Sequence, residues 1–142
     1  MSHQYLVRKK KFTTKEGELK EEFFATAKSI RVIGVDEMAE KITQNSSFTS
    51  ADVVGTINAL SRMIKENLAS GYKVKLDGIG VLGVSLTSKG VETEKELDPK
   101  KVRFSRVTFK ADNKLVRELK EIKFTRERPL PKGIVIKSKG LK

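Results

Sequence analysis

Cysteine and tryptophan are both absent from the 142 residues, and there is one histidine, His3. Without thiols the chain has no disulfide framework, no thiol nucleophile and no cysteine-built zinc site. His3 stands in a segment expected to be a flexible terminus. There is no phosphate-binding glycine loop and no acidic pair set in an evident pocket, so neither an enzyme nor a cofactor or metal site is expected. The aromatic residues are few, and the phenylalanines fall mostly at core-like spacing, which speaks against a stacking platform for single strands. Hydrophobic runs are far shorter than the roughly 20 residues a membrane helix needs. Met1 to Lys11 is polar and then basic with no apolar centre, unlike a secretory leader. A cytoplasmic protein is the expectation. The length suits one ordinary domain with extra termini.

What the sequence does have is positive charge. Thirty Lys and Arg stand against eighteen Asp and Glu, for a net charge of +12. That balance suits a protein lying on a polyanion. By segment, residues 1–34 carry 8 basic and 4 acidic groups, 35–86 carry 5 and 6, and 87–142 carry 17 and 8. The middle is therefore a near-neutral folding unit and the ends hold the charge. Basic tails acting only as solubility devices are the alternative.

Periodicity divides the chain further. Residues 5–12 form a short strand running into the basic Arg8–Lys11. The stretch from Glu22 to Val35, with Phe23, Phe24, Ile30, Val32 and Ile33, forms a second that bends near Lys28 and Ser29. These two can pair, because one strand is not stable alone. From Asp36 the period becomes helical: Met38, Ala39 and Ile42 share a face, with acids at the favoured end of the helix dipole. Thr49 is a candidate N-cap, with Asp52 three residues on in a variant capping box. Val53, Ile57, Leu60, Ile64 and Leu68 then make one apolar stripe, which Gly71 ends. Lys73 to Leu76 alternates as a strand, Asp77-Gly78-Ile79-Gly80 turns, and Val81 to Leu86 continues extended. A polar arm, Thr87 to Lys101, separates this strand from the next, Val102 to Phe109. Asp112 precedes an amphipathic final helix through Leu115, Val116, Leu119 and Ile122. In the tail after Phe124, Ile134-Val135-Ile136 is either a short strand or disordered.

This order of elements resembles the HU and integration-host-factor family of bacterial DNA-binding proteins. The residues that carry the resemblance are Thr49, Asp52-Val53, Ala59-Leu60, Ile64, Leu68, Gly71 and Val74-x-Leu76-x-Gly78-Ile79-Gly80-x-Leu82, with Ile79 and Leu82 where the family has aromatics, then Phe109-Lys110 leading to Asn113, Lys114 and Leu115. A variant branch from Bacteroidetes-like bacteria is similar in further stretches. They are Tyr5 to Lys10, Phe23-Phe24, Ser88-Lys89-Gly90-Val91-Glu92-Thr93-Glu94 and Lys101-Val102-Arg103-Phe104. The resemblance implies an α+β, HU-like fold: a helical pair, a β-sheet with a two-stranded β-arm, a C-terminal helix and an intertwined dimer, here with extra N-terminal strands. It implies an N-terminal β extension over 1–34, an HU-like DNA-binding domain over 35–124 and a basic tail over 125–142. Its partners would be double-stranded DNA and a second copy of the chain, in the nucleoid.

The arm departs from the family. In typical members it carries arginines and an Arg-Asn-Pro tip whose proline wedges between base pairs. Residues 87–101 contain no arginine, and Lys89, Lys95, Lys100 and Lys101 are balanced by Glu92, Glu94, Glu96 and Asp98. Pro99 follows an acid, and an ordinary turn at Leu97–Pro99 is favoured over intercalation. Sequence-tolerant, salt-sensitive contact with the DNA backbone is what remains. The candidate DNA-binding residues are Lys89, Lys95, Lys100, Lys101, Arg103, Arg106, Lys110, Asn113 and Lys114. Arg103 and Arg106 differ by three positions on a strand and are expected on opposite faces. Lys110, Asn113 and Lys114 stand where a helix N-terminus with free amides would favour a phosphate. Val81, Leu82, Val84, Phe104, Val107 and Phe109 exceed what two short helices can cover, which predicts a dimer. A protein-interaction scaffold that kept the fold and lost DNA bending is the alternative function.

Overall fold

The computed structural model describes residues 2–128, so the notional strand at Ile134–Ile136 lies outside it. The chain is α+β, with three helices and two three-stranded sheets among the described residues. It divides into two compact units, one of residues 2–31 with 122–128 and the other of residues 32–121.

In the first unit β1 (Ser2–Thr13) and β2 (Leu19–Ala27) form an antiparallel hairpin from Tyr5 opposite Ala27 to Thr13 opposite Leu19. Gly17, at φ +85°, takes the left-handed position of the connecting turn, which closes with Gly17 N–H donating to the Thr14 carbonyl at 2.9 Å. The four basic residues of β1 alternate between faces. Lys9 and Lys11 both reach Glu21 across the hairpin, while Lys10 lies 5.3 Å from the centre of the Phe24 ring on the other face. A third strand, β6 (Lys123–Arg126), adds to β1 in parallel, with His3 opposite Phe124 and their rings 5.7 Å apart. His3 is therefore part of a sheet and not of a loose end. The Lys28–Glu127 ion pair and the bond from Glu127 N–H to the Tyr5 carbonyl, 3.0 Å, hold the same edge.

The second unit begins with α1 (Val35–Gln44) and α2 (Ser50–Ala69). Thr49 and Asp52 form the reciprocal capping box: Asp52 N–H donates to Thr49 Oγ1 at 3.2 Å and Thr49 N–H to Asp52 Oδ2 at 3.0 Å. Two of the amides left over at the helix start are thereby satisfied. The helix ends at Gly71, φ +88°, and Tyr72 N–H returns to the Asn67 carbonyl at 3.0 Å. The second sheet follows in the order β3-β4-β5: β3 (Val74–Leu76), β4 (Gly80–Ser88) and β5 (Val102–Ala111), antiparallel throughout. Gly78, φ +76°, makes the turn between β3 and β4. Gly80 is required for a different reason: a Cβ there would lie 2.4 Å from the Lys110 carbonyl oxygen and 2.6 Å from the Phe109 ring.

The closing helix, α3 (Asn113–Leu119), stops before Ile122, and it is not the last element because β6 follows. Its seven residues are too few for the amphipathic face to extend another turn. The β4–β5 ladder ends at Ser88 opposite Val102. Beyond it the arm is not two-stranded: residues 89–101 contain two 3-10 turns, Glu94–Glu96 and Pro99–Lys101. Proline suits the first position of such a turn, where no amide hydrogen is needed, and the Asp98 carboxylate accepts from Lys100 N–H at 2.8 Å. Pro99 thus sits in an ordinary turn. No described helix is long and apolar enough to cross a membrane.

Two expectations follow. Gly80→Ala should destabilise the protein by about 1–3 kcal/mol, because the added methyl meets backbone and an aromatic ring and the strand must shift; urea unfolding checks this. The Thr49 hydroxyl, and then its amide, hold the Asp52 carboxyl below the usual carboxylate range. A depressed carboxylate stabilises the fold above its unfolded value and loses that effect as pH falls through the lowered one. The Tm gap between wild type and Asp52→Asn should therefore be widest near neutral pH and close in acid, as thermal melts across pH will test.

Candidate nucleic-acid interface

Residues opposite one another in an antiparallel ladder share a face, and alternate residues of a strand take opposite faces. In the β3-β4-β5 sheet these rules sort the side chains by chemistry. Leu82 opposite Phe109, Val84 opposite Val107, Leu86 opposite Phe104 and Val74 opposite Leu82 make one face apolar. The other pairs Val81 with both Lys75 and Lys110, Gly83 with Thr108, Ser85 with Arg106 and Thr87 with Arg103.

A β-bulge makes this sorting possible. Ser85 is opposite Arg106 and Leu86 is opposite Phe104, so Ser105 is an extra residue without a partner. The extra residue changes the alternation of β5. Arg103 and Arg106, three apart, consequently lie on the same face, as do their partners Thr87 and Ser85. The expectation of opposite faces assumed an unbroken strand and is corrected by the bulge.

Among the described residues, neither Arg103, Arg106 nor Lys110 is in an ion pair with a carboxylate. On the same face, Lys75 has Asp77 at 3.8 Å, a loose and exposed contact worth little in water. Lys73 lies over this face too, its Cγ 3.7 Å from where a Cβ of Gly83 would stand. Lys73 and Lys75 were not among the expected site residues. Their signal was present in the alternation Lys73-Val74-Lys75-Leu76, but only the pairing with β4 tells which face each takes.

The remaining candidates divide into three places. Lys89, Lys100, Lys101 and Arg103 line a cavity of about 460 Å³ where the arm leaves the ladder. Lys95 is in the middle of the first 3-10 turn between Glu94 and Glu96 and is not part of that lining. Asn113 and Lys114 open α3, but Asp112 already caps it, its carboxylate accepting from Lys114 N–H at 2.8 Å. The amide expected to be free for a phosphate is taken, and an acid stands where the anion would go.

A basic, carboxylate-poor sheet face backed by an apolar one, joined to a helical pair and extended by a polar arm, is the arrangement of an HU-like domain. The family model for an HU domain fused to wHTH, Ig, or glycine-rich motif matches residues 1–126, and the chain belongs to that HU-HIG family. A crystal structure of a candidate bacterial DNA-binding protein from Bacteroides vulgatus superposes with a TM-score of 0.61 at 14% identity, covering 92% of this chain and 51% of that one. The chain thus spans about half the length of that relative. The HU protein of Anabaena, crystallised with DNA, matches at a TM-score of 0.44 and 21% identity, over 63% of this chain and 98% of that one. No curated protein matches the sequence.

Proposed function

We propose that this chain is a non-enzymatic, histone-like DNA-binding protein of the nucleoid, which acts as a homodimer and holds duplex DNA by its phosphates with little sequence preference. The observation that carries this reading is the single face that gathers Arg103, Arg106 and Lys110 without carboxylate partners. Cations so placed attract a polyanion without first breaking an internal ion pair, and each neutralised phosphate releases counterions. The face has hydroxyls and small residues between its cations, Thr87, Ser85, Thr108 and Gly83, which permit close approach of a backbone and read no base. Membership of the HU-HIG family supports the same conclusion. Lys89, Lys100 and Lys101 extend the surface into the arm. Asn113 and Lys114 contribute through their side chains, and Lys95 only through the general field.

The apolar face is the basis for the dimer. Among the described residues only two apolar side chains beyond glycine are buried, Ala39 at 0% and Val53 at 9% exposure. Leu86 and Phe104 are each 65% exposed and Val84, Val107 and Phe109 at least half exposed. Apolar patches larger than a few hundred Å² are uncommon on monomeric proteins. At about 25 cal/mol per Å², covering them is the largest stabilisation this unit has in reserve. A second copy covers one such face with another and leaves both basic faces free for DNA.

In binding titrations across salt concentration, Arg106→Ala and Lys110→Ala should each make the log–log salt slope shallower by about one unit, equally on unrelated duplexes. Unchanged slopes would remove the sheet face from the interface. The exchange of Arg103→Phe with Phe104→Arg keeps composition and charge but moves the cation to the apolar face. It should weaken both DNA binding and self-association, the latter measured by sedimentation equilibrium. A wild-type protein that sediments as a monomer at micromolar concentration would overturn the dimer.

A further inference from the structure

The arm is neutral by count, yet its charges are not mixed in space. The cavity at its base is lined by Lys89, Lys100, Lys101 and Arg103 together with Ser88 and Gly90, and no carboxylate joins the lining. The four acids of the arm are directed elsewhere. The Glu96 carboxylate accepts from the Thr93 hydroxyl at 3.0 Å, the Asp98 carboxylate caps Lys100 N–H, and Glu92 and Glu94 stay off the lining. None of the four cations is in an ion pair among the described residues. Lys101 Nζ donates to the Glu96 carbonyl at 2.6 Å, which ties the second turn to the first.

We infer that this cavity is a phosphate cup in which the arm holds a phosphate of the DNA backbone, so that the arm works as a clamp on the strand and not as a wedge between base pairs. The inference rests on the DNA-binding reading above and deepens it. Four cations and two adjacent hydroxyls, Thr87 and Ser88, offer many donors and no acceptor with negative charge, a set that favours the anionic oxygens of a phosphate over a base edge. The volume, about 460 Å³, lies within the range of ligand pockets and admits a phosphate with part of its sugars. Wedging needs an apolar group projecting from the tip. Pro99 is instead folded into a turn with a carboxylate beside it, and Leu97 is about half exposed between two turns. Arg103 belongs both to the cup and to the basic sheet face, so a strand crossing that face enters the cup without a break in positive charge.

Gly90 provides the test. It has an ordinary backbone conformation with no atom within 4 Å of a Cβ, so a side chain is accommodated there without disturbing the fold. Gly90→Glu brings a carboxylate to the cup and Gly90→Gln a neutral group of the same size. On a short random duplex, Gly90→Glu should bind about tenfold more weakly than wild type while Gly90→Gln stays near wild type, as loss of a charge-assisted contact implies. Equal effects of Glu and Gln would overturn the cup. A rise in 2-aminopurine fluorescence on binding, reporting unstacked bases, would overturn the clamp in favour of the wedge. Titration of the full chain with pyrophosphate, followed by amide NMR, separates the cup from the DNA reading. Shifts confined to residues 87–91 and 100–103 in a protein that fails to bind DNA would uphold the cup and remove the DNA reading. DNA binding that survives Gly90→Glu, with no pyrophosphate shifts, would do the reverse.

Discussion

The pairing of β4 with β5, with one unpartnered serine inside it, orders most of what this protein offers to its surroundings. An antiparallel ladder imposes a period of two on both strands, and that period separates Leu82, Val84 and Leu86 from Gly83, Ser85 and Thr87 without further help. On β5 the same period would fail, because Val107 and Phe109 lie in one phase and Val102 and Phe104 in the other. The bulge at Ser105 brings the two halves back into phase. Without it, either Arg103 would be driven into the apolar face or Phe104 out of it. Burial of an unpaired guanidinium is costly, so the bulge is needed wherever that face is covered.

The same division of faces explains why the unit leaves so much apolar surface uncovered. The helical pair packs on itself through small contacts around Ala39 and Val53, and Met38, Ile42 and Met63 remain over 40% exposed. A chain in this state has few means of internal stabilisation. It holds its helices by caps, such as the Thr49–Asp52 box, and its turns by glycines at positive φ, which fix geometry locally. Stability that depends on association depends on concentration as well.

Legibility in the sequence followed the range of the interaction concerned. The capping box, the stripe from Val53 to Leu68, the stop at Gly71 and the turn at Gly78 depend on neighbours within a few positions, and all were readable. The pairing of β1 with β2 was readable because each strand needs a partner, but not its extent: the second strand was expected over Glu22 to Val35, whereas β2 is Leu19–Ala27, residues 28–34 are in no strand and Val35 opens α1. The shared face of Arg103 and Arg106 was not, since nothing about Ser105 marks it as a bulge and only the register with β4 reveals it. Nor was β6, four mostly polar residues that become a strand only by pairing in parallel with a segment more than a hundred positions away. Of the candidate site, only Arg103, Arg106 and Lys110 stand on a strand, and their grouping on one face depends on a pairing that no local pattern encodes.

The arm shows most clearly why counting charges misleads. Four lysines and four acids over residues 87–101 suggest a surface indifferent to phosphate. Two of those acids are engaged in hydrogen bonds that shape the turns, and this leaves the lysines at either end, beside Arg103, to line one cavity. Within a Debye length of about 8–10 Å a bound phosphate responds to the charges nearest it and much less to the segment's total. An acid used as a turn former therefore costs the arm less affinity than its formal charge implies. It also contributes something a lysine cannot, because a carboxylate that accepts from a backbone amide fixes the turn which positions Lys100 and Lys101. On the proposed reading, the acids of the arm are what gives its cations a shape.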